Sequence, residues 1–180
     1  PYLSNKFTHD SLIKKISVIK TKINIDKLHL IEKYVNMYEG KFKKRTWGDN
    51  VKTSLSLCQN VLHNVVDFKD IKNEIEEQLR NYFEKNEQNI PFLINESWVN
   101  LLDKYGYQDY HTHKPAFAAG TLYINDENSD IEFATFPEDN TKKLTPKKGD
   151  LYFWPGDLHH RVMDSDKRRV SLSFNVYATQ

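Results

Sequence analysis

The hydrophobic period of this chain changes at Pro91, and that change restricts the folds open to it. Before Pro91 apolar residues recur at helical spacing. Leu28, Ile31, Val35 and Tyr38 follow a cap at Asp26 and precede a stop at Gly40. Ile71, Ile75, Leu79, Tyr82 and Phe83 form a second stripe behind a cap at Asp67, with Glu74, Glu76, Glu77 and Arg80 turned outward and Pro91 as its end. After Pro91 the pattern is one of short strands, expected over residues 97–102, 107–113, 120–125, 131–136, 150–154, 161–163 and 170–177, with another over 16–25. Turn-forming groups separate them, among them Asn125-Asp126-Glu127-Asn128, Pro137-Glu138-Asp139-Asn140, Lys148-Gly149-Asp150, Pro155-Gly156-Asp157 and Asp164-Ser165-Asp166. This spacing predicts an α+β chain built on a double-stranded β-helix, or jelly roll, with N-terminal helices packed on one sheet. No repeat or low-complexity linker interrupts it. The expectation is a single domain over residues 1–180, with 1–90 as mainly helical support and 91–180 as the jelly-roll core that carries the active site.

The totals agree with a folded chain and exclude some partners. In 180 residues 13% are aromatic, too many for a disordered chain, and the 28% that are charged nearly cancel to a net +1. No global field draws the chain to nucleic acid or a membrane surface. The runs Lys41-Phe42-Lys43-Lys44-Arg45 and Lys142-Lys143 read as solvated faces. Cys58 is the single cysteine, so no internal disulfide can form, and it reads as a small apolar filler. Without a long apolar run or a signal-peptide core, the expected location is the cytoplasm.

Four of the seven histidines fall in two clusters. His111 and His113 flank Thr112 on an expected strand, where residues two apart share a face, and Asp109 lies on that face too. His159 and His160 follow the Pro155-Gly156 turn. An iron oxygenase needs a compact set of ligands on one side of the metal and open positions on the other. An H-x-H pair with one distant histidine can build that. Any lone histidine here would read as an ordinary polar residue; the combination reads as a metal site. The glutamate that cupins place shortly after H-x-H is missing, since Lys114-Pro115-Ala116-Phe117 follows.

Arg169 lies on a strand whose alternate residues are small and polar, so Arg169, Ser171 and Ser173 share a face. A guanidinium beside a hydroxyl suits a carboxylate, because the planar fork donates two parallel hydrogen bonds. Arg168 points to the opposite face and reads as a surface ion-pair residue.

These residues carry a resemblance. Gly149-Asp150-Leu151-Tyr152-Phe153-Trp154-Pro155-Gly156-Asp157-Leu158-His159-His160-Arg161-Val162, followed by Arg169-Val170-Ser171-Leu172-Ser173-Phe174-Asn175, resembles the C-terminal half of 2-oxoglutarate/Fe(II)-dependent oxygenases of the prolyl-hydroxylase-like branch. Ser97-Trp98-Val99-Asn100, Tyr110-His111-Thr112-His113 and Gly120-Thr121-Leu122-Tyr123 resemble a bacterial and phage group of oxygenases. Together they cover residues 95–177. The resemblance implies a hydroxylase using Fe(II) and 2-oxoglutarate on an unactivated C–H group, with peptidyl proline as a candidate. It implies His160 as the distal iron ligand and His111 as the first. Arg169, Ser171 and Tyr123 would hold the far carboxylate of 2-oxoglutarate. The family has Asp or Glu where this chain has His113, so the third ligand is His113, or Asp109 with His113 behind it. The implied partners are the small-molecule cosubstrate and a peptide or small-molecule substrate; a homodimer stays open.

Two other readings are a cupin-like three-histidine dioxygenase that needs no 2-oxoglutarate, and a jelly-roll binding module without catalysis. The first of these gives Arg169 no task. Trp98, Tyr105, Tyr107, Tyr110 and Trp154 could line a substrate mouth or fill the core, and Trp98 reads as core.

Overall fold

The two halves of the chain meet across one face of a curled sheet. The computed structural model describes residues 18–85, 90–126, 130–136 and 140–179. Its strands are β1 (Ile19–Lys22), β2 (Lys43–Lys44), β3 (Gly48–Thr53), β4 (Phe92–His111), β5 (Ala118–Tyr123), β6 (Ile131–Thr135), β7 (Asn140–Leu144), β8 (Asp150–Pro155), β9 (His159–Val162) and β10 (Arg169–Ala178). Its α-helices are α1 (His29–Tyr38), α2 (Val61–Asn64) and α3 (Lys69–Lys85). The strands follow the order β1-β8-β5-β10-β4-β9-β6-β7, and β3 joins β4 from the side with β2 beside it. All the ladders between these strands are antiparallel. β4 belongs to both limbs of the curl: Phe92 to Leu102 pair with β10, while Gln108 and His111 pair with β9. This is the jelly roll expected from the strand spacing.

Strand alternation divides the apolar residues between two cores. Leu172, Phe174 and Val176 of β10, Val99 and Leu101 of β4 and Leu151 and Phe153 of β8 face the helices. There they meet Ile31 and Val35 of α1 and Ile71, Ile75, Leu79 and Phe83 of α3. The alternate residues, among them Ala119, Tyr123, Tyr152 and Trp154, turn into the curl with Ile131 and Phe133. Gly120 lets the two layers close: a Cβ there would stand 2.3 Å from the Phe174 ring. Burying each large side chain of α3 contributes about 1.5–3 kcal/mol. Ile75 is fully buried. Ile75→Val should therefore cost about 0.5–1.5 kcal/mol in urea unfolding, with an unchanged m-value.

The helical half departs from expectation in detail. Asn24, not Asp26, supplies the side-chain cap, accepting from Asp26 N at 3.0 Å across a 3-10 turn, and α1 starts after it. Gly40 lies inside a second 3-10 turn, Glu39–Lys41. Asp67 sits in the 3-10 turn Val66–Phe68 that leads into α3. Pro91 stands beyond the last assigned residue of α3, Lys85, with residues 86–89 outside the described set. Residues 43–53, placed in the helical half, form β2 and β3 instead. β7 is a further strand that the pattern did not announce, and the strands expected over 97–102 and 107–113 run together as the single β4, which ends at His111 and leaves His113 outside it. Of the strand expected over 16–25, β1 occupies Ile19–Lys22.

Candidate metal centre

His111 closes β4, His160 sits opposite it on β9 as its Cα partner, and His113 follows two residues beyond the strand end. The chain turns there: Ala116 N donates to His113 O at 2.8 Å, and His113 N donates to Gly156 O at 2.8 Å. Gly156 permits this approach, since a Cβ would lie 1.9 Å from Ala116 O. The loop after β8 thus fixes His113 while leading directly to His160.

One potential ligand atom from each of His111, His113 and His160 lies within 4.8 Å of the others. Backbone carbonyls orient two of the rings. His111 Nδ1 bonds Asp109 O at 2.7 Å and His160 Nδ1 bonds Leu158 O at 3.0 Å. A carbonyl only accepts, so both Nδ1 atoms carry the proton and both Nε2 atoms keep a lone pair for a metal. His113 Nε2 stands 3.1 Å from His160 Nε2, in the same small space. Burial and mutual proximity disfavour protonation of all three. His113 is pushed down to about 3, chiefly by desolvation and then by His111, and His111 and His160 are lowered chiefly by desolvation. Neutral imidazoles in a tight cluster are what a divalent transition metal requires. Asp109 does not join them: its side chain is exposed, and what it offers His111 is its carbonyl. His159 points to the outer side of β9, its ring edge-on to Phe136 at 5.2 Å.

A cavity runs from the histidines between the two limbs of the curl. Trp47, Trp98, Trp154, Ile131 and Val162 form its apolar wall, and Arg169, Ser171, Ser173, Thr121, Tyr123 and Asn100 its polar end. Register explains the polar end: Ser171 is the direct partner of Tyr123 on one side and of Asn100 on the other. Arg169 is 4% exposed and donates through Nη2 to Gly106 O at 2.6 Å. Burial lowers it to about 10, with Tyr123 opposing the shift, so it is cationic at neutral pH. Tyr123 is raised, chiefly by burial, and stays a protonated donor. Arg168 lies on the other face, paired with Glu39 and 3.9 Å from Asp103.

Sequence reasoning therefore placed His111, His113, His160, Arg169, Ser171 and Tyr123 on one cavity, and they do converge there. It missed Asn100, Thr121 and Trp47. Trp98 is both things that were weighed, 5% exposed yet lining the cavity. Trp154 also lines it, with its ring 4.8 Å from that of His160. Tyr105 and Tyr107 are exposed, and Tyr110 packs against Phe136 with its hydroxyl on Glu132. No helix among the described residues is long and apolar enough to cross a membrane.

No family model matches the sequence. No curated protein matches it either. Solved structures do. A prolyl-4-hydroxylase of Pseudomonas putida superposes with a TM-score of 0.70 at 12% identity, over 99% of this chain and 100% of that one. A Trichoplax adhaerens prolyl hydroxylase, solved with a peptide fragment of the hypoxia inducible factor oxygen degradation domain, gives 0.70 at 10% identity over 97% and 89%. A viral collagen prolyl hydroxylase of Paramecium Bursaria Chlorella virus-1, solved as a 2OG complex, gives 0.64 at 10% identity over 90% and 96%. The chain has the fold of the 2OG-Fe(II) oxygenases, with a three-histidine cluster inside its curl.

Proposed function

We propose that the chain is a 2-oxoglutarate- and Fe(II)-dependent dioxygenase that hydroxylates an unactivated C–H group, with peptidyl proline as the candidate substrate. One observation carries this reading: a cluster of three neutral imidazoles and a buried arginine line the same cavity, joined by an apolar wall. The residues fit the groups the fold family uses. The Nε2 atoms of His111 and His160 are kept unprotonated by their carbonyl partners, and buried Trp154 Nε1 has no hydrogen-bond partner among the described residues, leaving a donor beside the cluster.

His111, His113 and His160 hold the iron. Arg169 grips the distal carboxylate of 2-oxoglutarate by charge-assisted hydrogen bonds, with Tyr123 and Ser171 beside it. Trp98, Trp154, Ile131 and Val162 keep water away from the reacting end. The bound iron and cosubstrate supply oxidative decarboxylation to succinate coupled to C–H hydroxylation. We further assign the activity to one domain over residues 1–180, working in the cytoplasm on a peptide or small molecule and not on nucleic acid.

The test is succinate release from 2-oxoglutarate by the Fe(II)-loaded protein in air. Slow uncoupled release is expected without substrate, and none when iron is withheld. A protein that binds one Fe(II) yet forms no succinate would overturn the reading. His113, an imidazole where the family has a carboxylate, favours a second one: a three-histidine dioxygenase that needs no cosubstrate. Substrate oxidation with 2-oxoglutarate left out would support that instead.

A further inference from the structure

The polar end of the cavity rests on a buried relay whose hydrogen-bond direction one residue decides. Trp98 Nε1 lies 2.9 Å from Asn100 Oδ1, and an indole N–H can only donate. That bond fixes the Asn100 amide, because the flipped amide would set two donors face to face. Asn100 Nδ2 must then point across β10, and it donates to Ser173 Oγ at 2.8 Å and Ser171 Oγ at 3.3 Å. Both of its protons are thereby used. Ser173 Oγ is also joined to Thr121 Oγ1 at 3.0 Å.

The protons can be counted. Ser171, Ser173 and Thr121 carry three hydroxyl protons between them, and the Ser173–Thr121 bond consumes one, whichever oxygen donates. Asn100 Nδ2 offers no acceptor for the others. Two hydroxyl protons are left to leave the relay, one from Ser171 and one from Ser173 or Thr121. All three residues line the cavity, as do Arg169 and Tyr123.

We infer that Trp98 is a positioning residue that sets this end of the cavity to present hydrogen-bond donors, so that it selects a carboxylate over an uncharged carboxamide of the same shape. The inference rests on the proposed cosubstrate site and adds to it the group that decides its polarity. Trp98 acts through Asn100, which faces Ser171 across the β4–β10 ladder. Trp98→Phe keeps an aromatic ring near His113, whose ring centroid is 5.9 Å away, and removes only the N–H. The amide is then free to turn, and its oxygen can draw the serine protons back into the wall.

The experiment compares 2-oxoglutarate with 2-oxoglutaramate, its distal carboxamide. The open forms of both chelate iron through the same keto-acid end, and both the metal contribution and the fraction of carboxamide closed to its lactam cancel when the ratio for the variant is divided by that for wild type. Affinities are read anaerobically from the metal-to-ligand absorption band of the Fe(II) protein, with no turnover. Wild type should prefer the carboxylate, and Trp98→Phe should shrink that preference about tenfold, the size of one hydrogen bond to a charged group. Replacing Trp98 by benzothienylalanine, an isostere with sulfur in place of the N–H, should give the same loss and decides the matter if Trp98→Phe does not fold. A wild-type preference that survives unchanged in the folded variant overturns the inference and leaves the cosubstrate site standing. Fe(II)-loaded wild type that binds neither keto acid overturns both.

Discussion

His160→Ala is expected to lose stoichiometric Fe(II) binding. His160 is 3% exposed, its Nε2 is 3.1 Å from that of His113, and its proton is held away on Leu158 O. Losing a group that merely supports a ligand costs roughly 10–100-fold in metal affinity, so losing one of three ligands costs more. Equilibrium dialysis against Fe(II) should give one metal per chain for wild type and none at micromolar iron for the variant. His159→Ala is the matched control. Its ring packs on Phe136 outside the curl, and binding should be unchanged. One tightly held Fe(II) in His160→Ala would move the metal elsewhere.

Arg169→Ala should weaken 2-oxoglutarate while leaving the metal in place. Removing the cationic partner of a carboxylate in a desolvated pocket costs about 2–5 kcal/mol, roughly 30-fold or more in affinity. A guanidinium cannot serve as a metal ligand, so Fe(II) stoichiometry should hold. Arg168→Ala separates charge from position. Its partners Glu39 and Asp103 are partly exposed at the surface, so its removal should change stability by less than about 1 kcal/mol and leave 2-oxoglutarate affinity alone. Anaerobic titration of both variants gives the comparison, and equal affinity in wild type and Arg169→Ala would remove Arg169 from the site.

The residues that were legible in the sequence are those whose grouping is local. His111 and His113 lie two apart, and Arg169, Ser171 and Ser173 alternate along one strand, so a period of two places each set on one face. Asn100 escaped notice because its role depends on the register Ser171↔Asn100, a pairing across 71 residues that no local pattern encodes. A signal was present: Trp98 and Asn100 alternate with apolar Val99 and Leu101, which puts two hydrogen-bonding residues on one face of a buried strand. β7 was hidden for a different reason. Asn140, Thr141, Lys142 and Lys143 are all exposed at the sheet edge, where charge guards against further pairing and no apolar alternation is left to read. β4 was expected as two strands, over 97–102 and 107–113; the backbone between them kinks, with Tyr105 at φ 61°, and the strand continues to His111.

That kink gives β4 the character of a gauge. On one side of it the strand carries Asn100, on the other His111, and the carbonyl of Gly106 within it holds Arg169. The spacing between His111 and the carbonyl that holds Arg169 is thus built into one strand, not left to a loop. Because side chains alternate between faces, one residue inserted there would turn His111 out of the cavity, so this spacing can change only by pairs of residues, in steps of about 6–7 Å.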